Sequence, residues 1–323
     1  MCTAVSVVAK KHYFGRNLDY EYTFGEKITI MPRRFQFEFT NGVKITSHSA
    51  IMGVSKVENG YPLFFDAVNE YGVCMAGLNF PHFSHWFKEQ EGKVNVASYE
   101  LIPRILLQCK TAEEAKKLCN GLNITDKPFA ENFSPTPLHW IIADKENCIT
   151  VEQTKSGIKV FDNPLGVLTN SPSFDMQMFN LNNYISLSNK EPENSFSEKI
   201  RLLSYSRGMG GVGLPGDNSS ASRFVRAGFA VQNSVFKNTE EDCVNQVFHI
   251  LDSVCQQRGT VKIEEKYEIT NYSVCCNSEQ GVYYWTTYDN RNISAIDMKR
   301  LNLDSDKIIT YDLYRCQNID YVN

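Results

Sequence analysis

Met1-Cys2-Thr3-Ala4-Val5-Ser6-Val7-Val8 opens the chain, and Tyr13-Phe14-Gly15-Arg16-Asn17-Leu18-Asp19-Tyr20 returns beside it after the polar break Lys10-Lys11-His12. Val5, Val7 and Val8-Ala9 favour a strand, Tyr13-Phe14 restart an aromatic one, and the two read as a hairpin. In that hairpin Cys2 faces a residue between Arg16 and Asp19, the partner depending on turn length and on whether Gly15 forms a bulge. An arginine and an aspartate therefore arrive beside the chain start.

The small side chain of Cys2 permits removal of Met1, which leaves a thiol and a free α-amine on one residue. Their ordinary pKa values of ~8.5 and ~7.7–8.0 leave a useful fraction of the amine unprotonated at neutral pH. The amine can then take the thiol proton directly or through one water, with no histidine required. Arg16 favours the thiolate, and Asp19 can accept from the ammonium and fix its orientation. With Met1 retained, the nitrogen of Cys2 is an amide and has no basicity to offer. The competing reading on composition alone is an edge hairpin with a surface Arg, a surface Asp and an incidental cysteine.

Working outward, residues 27–32 and 36–40 alternate as strands, Asn41-Gly42 turns into 43–46, and a second hairpin runs over 61–68 and 73–79 about the turn 69–72. Residues 99–109 carry an apolar stripe at helical spacing, with the start expected near Pro103. Thr111-Ala112-Glu113-Glu114 matches a capping box, opening a helix that ends at Asn120-Gly121. Short strands are expected at 138–143, 148–153, 158–161 and 167–169, and helical spacing returns at 173–187, 221–231 and 239–256. The last helix has Val244, Val247, Phe248, Leu251 and Cys255 on its buried face. Strands over 267–276, 282–287, 293–298 and 307–312 close the chain.

This order gives no parallel βαβ sheet. It predicts an α+β fold of layers, two antiparallel sheets face to face with helices over both outer faces, in a single domain spanning 1–323. The polar stretch 188–197 reads as a surface loop.

The 33 basic and 37 acidic side chains lack the basic excess of a nucleic-acid binder. With no apolar run of spanning length and no leader, the expectation is a soluble, cytoplasmic protein without a membrane partner. The ten dispersed cysteines read as reduced, mostly packed thiols, and the neighbours Cys275-Cys276 as residues pointing to opposite faces of a strand. Gly208-Met209-Gly210-Gly211-Val212-Gly213 satisfies GxGxxG as a string but lacks the strand before and helix after it, so it reads as a flexible glycine loop. His82-Phe83-Ser84-His85 lacks the further ligands of a metal site. Neither a metal nor an organic cofactor is expected.

Five motifs in this order resemble the choloylglycine hydrolase family, the N-terminal-cysteine amidases that include bile salt hydrolases and penicillin V acylases. They are Met1-Cys2-Thr3, Phe14-Gly15-Arg16-Asn17-Leu18-Asp19, Gly77-Leu78-Asn79-Phe80, Leu168-Thr169-Asn170-Ser171-Pro172, and Leu214-Pro215-Gly216-Asp217 followed by Ser222-Arg223-Phe224. The resemblance implies a four-layer αββα sandwich of the N-terminal nucleophile type, often a homotetramer, with Asn79, Asn170 and Arg223 joining Cys2, Arg16 and Asp19 in the catalytic constellation. Asn79 with a backbone N–H would face the oxyanion, and Asn170 would position the α-amine. Turn chemistry at strand ends is the plain alternative for both asparagines, and a solvated helix face, shared with Arg226, is that for Arg223.

Penicillin V acylases of the family tend to carry a tyrosine where this chain has Asn79, so the resemblance leans to conjugated bile salts as substrate. Tyr20, Tyr22, Phe24, Phe64, Phe65, Phe129, Phe133 and Leu138 are the candidate apolar walls, each of them equally readable as core packing. Acylases of penicillin V or acyl-homoserine lactones would share every catalytic residue, and a non-catalytic binding protein on the same fold would retain Met1.

Overall fold

The structure is a computed structural model that describes residues 1–323 except Asn132 and Arg315. The opening hairpin forms as β1 (Cys2–Val8) and β2 (His12–Tyr20), with Cys2 opposite Leu18 and Ala4 opposite Arg16. Gly15 lies opposite Val5 in regular register, so the hairpin has no bulge there. The glycine serves packing instead: a Cβ on it would come within 2.9 Å of Val247 Cγ1 and 3.2 Å of Leu251 Cδ1 on an overlying helix.

Further strands follow at Lys27–Met31 (β3), Ile51–Glu58 (β4), Tyr61–Asn69 (β5), Cys74–Asn79 (β6), Leu138–Ala143 (β7), Cys148–Thr154 (β8), Gly157–Asp162 (β9), Val167–Leu168 (β10), Ile269–Asn277 (β11), Val282–Thr287 (β12), Asn290–Asp297 (β13) and Ile309–Asp312 (β14). They build a six-stranded sheet in the order β10-β1-β2-β11-β12-β13 and an eight-stranded sheet in the order β9-β8-β7-β6-β5-β4-β3-β14. Every neighbouring pair is antiparallel. The helices are α1 (Leu101–Leu106), α2 (Ala112–Cys119), α3 (Phe174–Asn180), α4 (Ser220–Asn233) and α5 (Glu240–Asp252).

Two of these, α1 and α2, lie on the eight-stranded sheet, while α4 and α5 lie on the six-stranded one. This is the expected αββα arrangement. Between the sheets Cys2, Leu18 and Val274 meet Ala76, Leu78 and Ile141, and a second core under α1 and α2 holds Met75, Trp140 and Ile142. The β1 strand is covered on both faces, by the other sheet and by α4 and α5, which is why its sequence lacks a polar alternation. Helix starts follow local chemistry. Thr111 Oγ1 accepts from Glu114 N–H at 3.1 Å, and the Glu114 carboxylate reaches back to Lys110 N–H at 2.6 Å. Thr239 caps α5 in the same way, with Glu240, Glu241 and Asp242 in the positive first turn.

Ile51–Glu58 forms a strand that the sequence pattern did not mark; Gly53 is there because a Cβ would come within 2.6 Å of Ala67 Cα on β5. Several expectations need correction. Helical spacing over 173–187 ends as α-helix at Asn180 and continues only as the 3-10 turn Leu181–Tyr184, after which Ile185 has no core to enter. Helix α5 stops at Asp252, which leaves Cys255 outside it. The glycine segment is tied down rather than free, since Gly210 is buried and its carbonyl accepts from Ser188 N–H at 2.9 Å.

The ladders shift register at three places, one of them between Trp285 and Thr287 on β12, and the other two matter to the site. One makes Phe65 an extra residue of β5 opposite Val54–Ser55, and the other makes Asn271 an extra residue of β11 opposite Leu18–Asp19. All ten cysteines are free thiols. Among the described residues no helix is long and apolar enough to cross a membrane.

Candidate active site

The hairpin register sorts the site into two faces. Cys2, Ala4, Arg16 and Leu18 point between the sheets, whereas Thr3, Asn17 and Asp19 point toward the helices. On the inner face, Arg16 Nη2 donates to Cys2 Sγ at 3.3 Å and to the Gly77 carbonyl at 3.1 Å. Its Nη1 donates to Asp66 Oδ2 at 2.8 Å and to Tyr272 Oη at 2.9 Å. Burial works against the guanidinium charge, but Tyr272, Cys2 and Asp66 outweigh it and hold the Arg16 pKa well above its ordinary value.

On the helix face α4 supplies Arg223, fully buried beneath the chain start. Its Nη1 donates to the Cys2 carbonyl at 2.6 Å and to Thr3 Oγ1 at 2.7 Å, its Nη2 to Asn170 Oδ1 at 2.8 Å, and its Nε to the Asn218 carbonyl at 3.0 Å. The solvated-face alternative therefore fails for Arg223. Asp19 lies 3.9 Å from Arg223 Nη1 and accepts from Thr270 Oγ1 at 2.6 Å, while its Oδ2 has no hydrogen-bond partner among the described residues. Burial raises the Asp19 pKa and lowers that of Arg223, each opposed by the other's charge.

Asn170 ties the faces together. Its Oδ1 accepts from Cys2 N–H at 2.9 Å, and its Nδ2 donates to the Asn79 carbonyl at 2.7 Å. Asn79 ends β6 beside this bond with no protein partner for its own side-chain amide among the described residues, so that amide is free to meet a ligand. His139 and Glu152 brace the same region: the His139 ring bonds Glu152 Oε1 at 2.9 Å and the Thr169 carbonyl at 3.0 Å, and stacks on Phe80 with centroids 4.2 Å apart.

Met1 is present, its ammonium donating to the Asp19 carbonyl at 2.6 Å and to Glu268 Oε1 at 2.7 Å. Met1 also lines a depression of about 570 Å³ with Gly216–Ser219, Thr260 and Val261. None of the candidate wall residues borders it.

The structure thus brings together Cys2, Arg16, Asp19, Asn79, Asn170 and Arg223. Of the candidate walls, Tyr20, Tyr22, Phe24 and Phe65 form one cluster, with ring centroids 4.7–5.5 Å apart. Phe65 packs against the inter-sheet core that contains Cys2. Phe64 does not join them: the bulge at Phe65 turns it into the core under α1 and α2. Phe129 and Phe133 meet each other, and Phe129 meets Tyr61 and Tyr99, as a separate ring set; Leu138 pairs with Asn79 in the ladder and packs partly on the helix-side core.

Sequence reasoning missed Asp66, Glu268, Thr270, Tyr272 and Tyr283. For Asp66 a signal existed, an acid inside the apolar run Tyr61–Val68. For the others none did. Among the described residues no three metal-binding side chains gather, and the arrangement offers a nucleophile, hydrogen-bond donors and cations.

A thiol bonded to a buried guanidinium, with its backbone nitrogen held by an asparagine and a free amide nearby, is equipped to attack a carbonyl and hold the resulting oxyanion. Comparison with known proteins agrees. A bile salt hydrolase/transferase of Lactiplantibacillus plantarum is 49% identical over 97% of both chains, and one of Clostridium perfringens is 41% identical over the full length of both. The crystal structure of the C2A mutant of a conjugated bile acid hydrolase from Clostridium perfringens superposes with a TM-score of 0.92 at 39% identity, covering all of both chains. The family model of linear amide C–N hydrolases, choloylglycine hydrolase family, matches residues 2–311, and this chain belongs to that family.

Proposed function

We propose that the protein hydrolyses the amide bond of glycine- or taurine-conjugated bile salts, with Cys2 as nucleophile once Met1 has been removed. The observation that carries the reading is the shared hold on one residue: Arg16 on the sulfur of Cys2, Asn170 on its nitrogen, Arg223 on its carbonyl. The Cys2 thiolate attacks the amide carbon and the oxyanion takes a hydrogen bond from Asn79 and a backbone N–H. The α-ammonium of Cys2 protonates the departing nitrogen, leaving a thioester. The same amine then takes a proton from water, which cleaves the thioester and frees the bile acid. Asp19, with one unpartnered oxygen, is the acceptor for that ammonium in the trimmed chain.

The ring set Tyr20, Tyr22, Phe24 and Phe65, beside the core that contains Cys2, suits a rigid apolar steroid. The names of the relatives, bile salt hydrolase/transferase and conjugated bile acid hydrolase, support the same substrate. A cytoplasmic setting fits ten unpaired thiols. A homo-oligomer, a tetramer in our reading, would cover the arm beyond α3, where the apolar side chains of Ile185, Phe196 and Tyr205 are 88%, 80% and 87% exposed.

The test is turnover of glycocholate, taurocholate, penicillin V and an acyl-homoserine lactone by purified protein whose N-terminus is verified by intact mass, with Cys2→Ala alongside. The expectation is amine release from both bile conjugates above the other substrates, lost in Cys2→Ala without loss of fold. Turnover by protein that keeps Met1, or by Cys2→Ala, refutes the mechanism; turnover of penicillin V alone refutes the substrate.

A further inference from the structure

Arg16 is the group on Sγ, yet the carboxylate that pairs with it is not on its own sheet. Its salt-bridge partner is Asp66, from β5 of the opposite sheet, with both side chains nearly fully buried. Of the five guanidinium donors, two go to Sγ and the Gly77 carbonyl, two to Asp66 and Tyr272, and Nε has no acceptor among the described residues. Asp66 is itself held from three sides. Oδ2 accepts from Arg16 and from Tyr272 Oη at 2.9 Å, and Oδ1 accepts from Tyr283 Oη. The bulge at Phe65 keeps Phe65 and Asp66 both toward the inter-sheet space, where simple alternation would have sent one of them away.

The charged and titratable groups that face this guanidinium are Cys2 from β1, Asp66 from β5 and Tyr272 from β11, with Tyr283 from β12 and Glu26 one step further out. While Cys2 is a thiol, Arg16 and Asp66 form a closed neutral pair. When the thiolate forms, the guanidinium serves two anions from opposite ends. A cation so placed can help the sulfur only if its far end is anchored, since an unanchored guanidinium in a buried site moves to the best remaining acceptor.

We propose that Asp66 is a positioning residue for catalysis: clamped by Tyr272 and Tyr283, it anchors Nη1 of Arg16 so that Nη2 is presented to the attacking sulfur. The inference rests on Cys2 as nucleophile. Asp66 touches neither sulfur nor substrate and acts through Arg16.

The experiment compares the parent with Asp66→Ala, Asp66→Asn and Tyr283→Phe, each with Met1 removal verified by mass. Thermal unfolding, kcat and KM for glycocholate, and the rate of Cys2 carbamidomethylation by iodoacetamide from pH 5 to 9, read on the N-terminal peptide, are measured. For Asp66→Ala, kcat falls about thirtyfold with KM within about threefold, and Cys2 alkylation at neutral pH slows about tenfold. Asp66→Asn, which keeps an oxygen for Nη1, lies between this variant and the parent. Should Asp66→Ala fail to fold, Tyr283→Phe, which removes one hydroxyl from Oδ1, lowers kcat by about threefold at unchanged KM.

An alkylation profile that superposes on the parent's, with only the melting temperature lowered, overturns the proposal and leaves Asp66 a structural counter-ion. Faster alkylation at low pH in Asp66→Ala also overturns it, since Asp66 would then merely compete with the thiolate for Arg16. In Tyr283→Phe, a kcat equal to the parent's counts against it as well. Failure of the parent reading is distinguishable, because it appears as activity retained in Cys2→Ala whatever the alkylation rates show.

Discussion

Replacement of Asn170 by alanine tests the centre of the site most directly. The residue is 5% exposed and makes three bonds that nothing else can take over: from Cys2 N–H at 2.9 Å, from Arg223 Nη2 at 2.8 Å, and to the Asn79 carbonyl at 2.7 Å. Truncation leaves the buried nitrogen of Cys2, a guanidinium N–H and a carbonyl without partners. Each such group costs about 1–3 kcal/mol, the charged one more, and one water entering the gap recovers part of it, so a net loss of about 3 kcal/mol is expected. For a chain of this length that lowers the melting midpoint by roughly 4 °C.

The catalytic cost is separate. The nitrogen of Cys2 loses its orienting acceptor and Asn79 loses its tether, a misplacement on the order of 1 Å that lowers kcat about a hundredfold. Differential scanning calorimetry reads the first quantity, and amine release from glycocholate at saturating substrate reads the second. A variant that melts within about 1 °C of the parent and keeps kcat within about threefold refutes the reasoning on both counts.

His12 gives a pH prediction. Burial lowers its pKa to about 4, against the pull of Asp144 and Glu279, while its ring bonds Ser6 Oγ at 2.9 Å and Ser278 Oγ at 2.7 Å. Below pH ~6.5 the unfolded chain binds a proton that the folded one declines, so stability is complete above ~6.5 and is lost as pH falls toward the folded value, by up to about 1.4 kcal/mol per unit. In His12→Gln the urea-unfolding free energy should fall less steeply over that window; an unchanged slope counts against the assignment. Gly53→Ala places a Cβ within 2.6 Å of Ala67 Cα, so unfolding free energy should drop by about 3 kcal/mol, and a drop below about 1 would mean β4 and β5 part easily. Phe24→Ala removes a ring that contacts Tyr20, Tyr22 and Phe65, so KM for taurocholate should rise about tenfold with kcat nearly unchanged; a KM within about twofold removes this cluster from the steroid site.

Much of the fold and half the site could be read locally. Thr111 and Glu114 mark a helix start because capping involves neighbours in sequence, and Val244, Val247 and Leu251 mark a buried stripe because helical period is a property of one segment. Cys2 opposite Leu18 lies within the expected window because a short turn limits the register of a hairpin. Asn79, Asn170 and Arg223 were different. Their types and places suited turns and a helix face, and only the family pattern singled them out. The wall residues show the limit clearly: Phe64 and Phe65 are neighbours with the same chemistry, and a bulge sends them into different cores.

The sequence by itself determined that a cysteine at the second position would lie beside an arginine and an aspartate, since strand pairing over 20 residues needs no distant information. Only the tertiary structure decided what holds those groups. Asp66 comes from the opposite sheet, Arg223 from a helix more than 200 residues on, and Thr270, Tyr272 and Glu268 from beside a bulged strand near the other end of the chain. Burial then sets their charges against one another, and burial is a property of the assembled layers that no single segment carries.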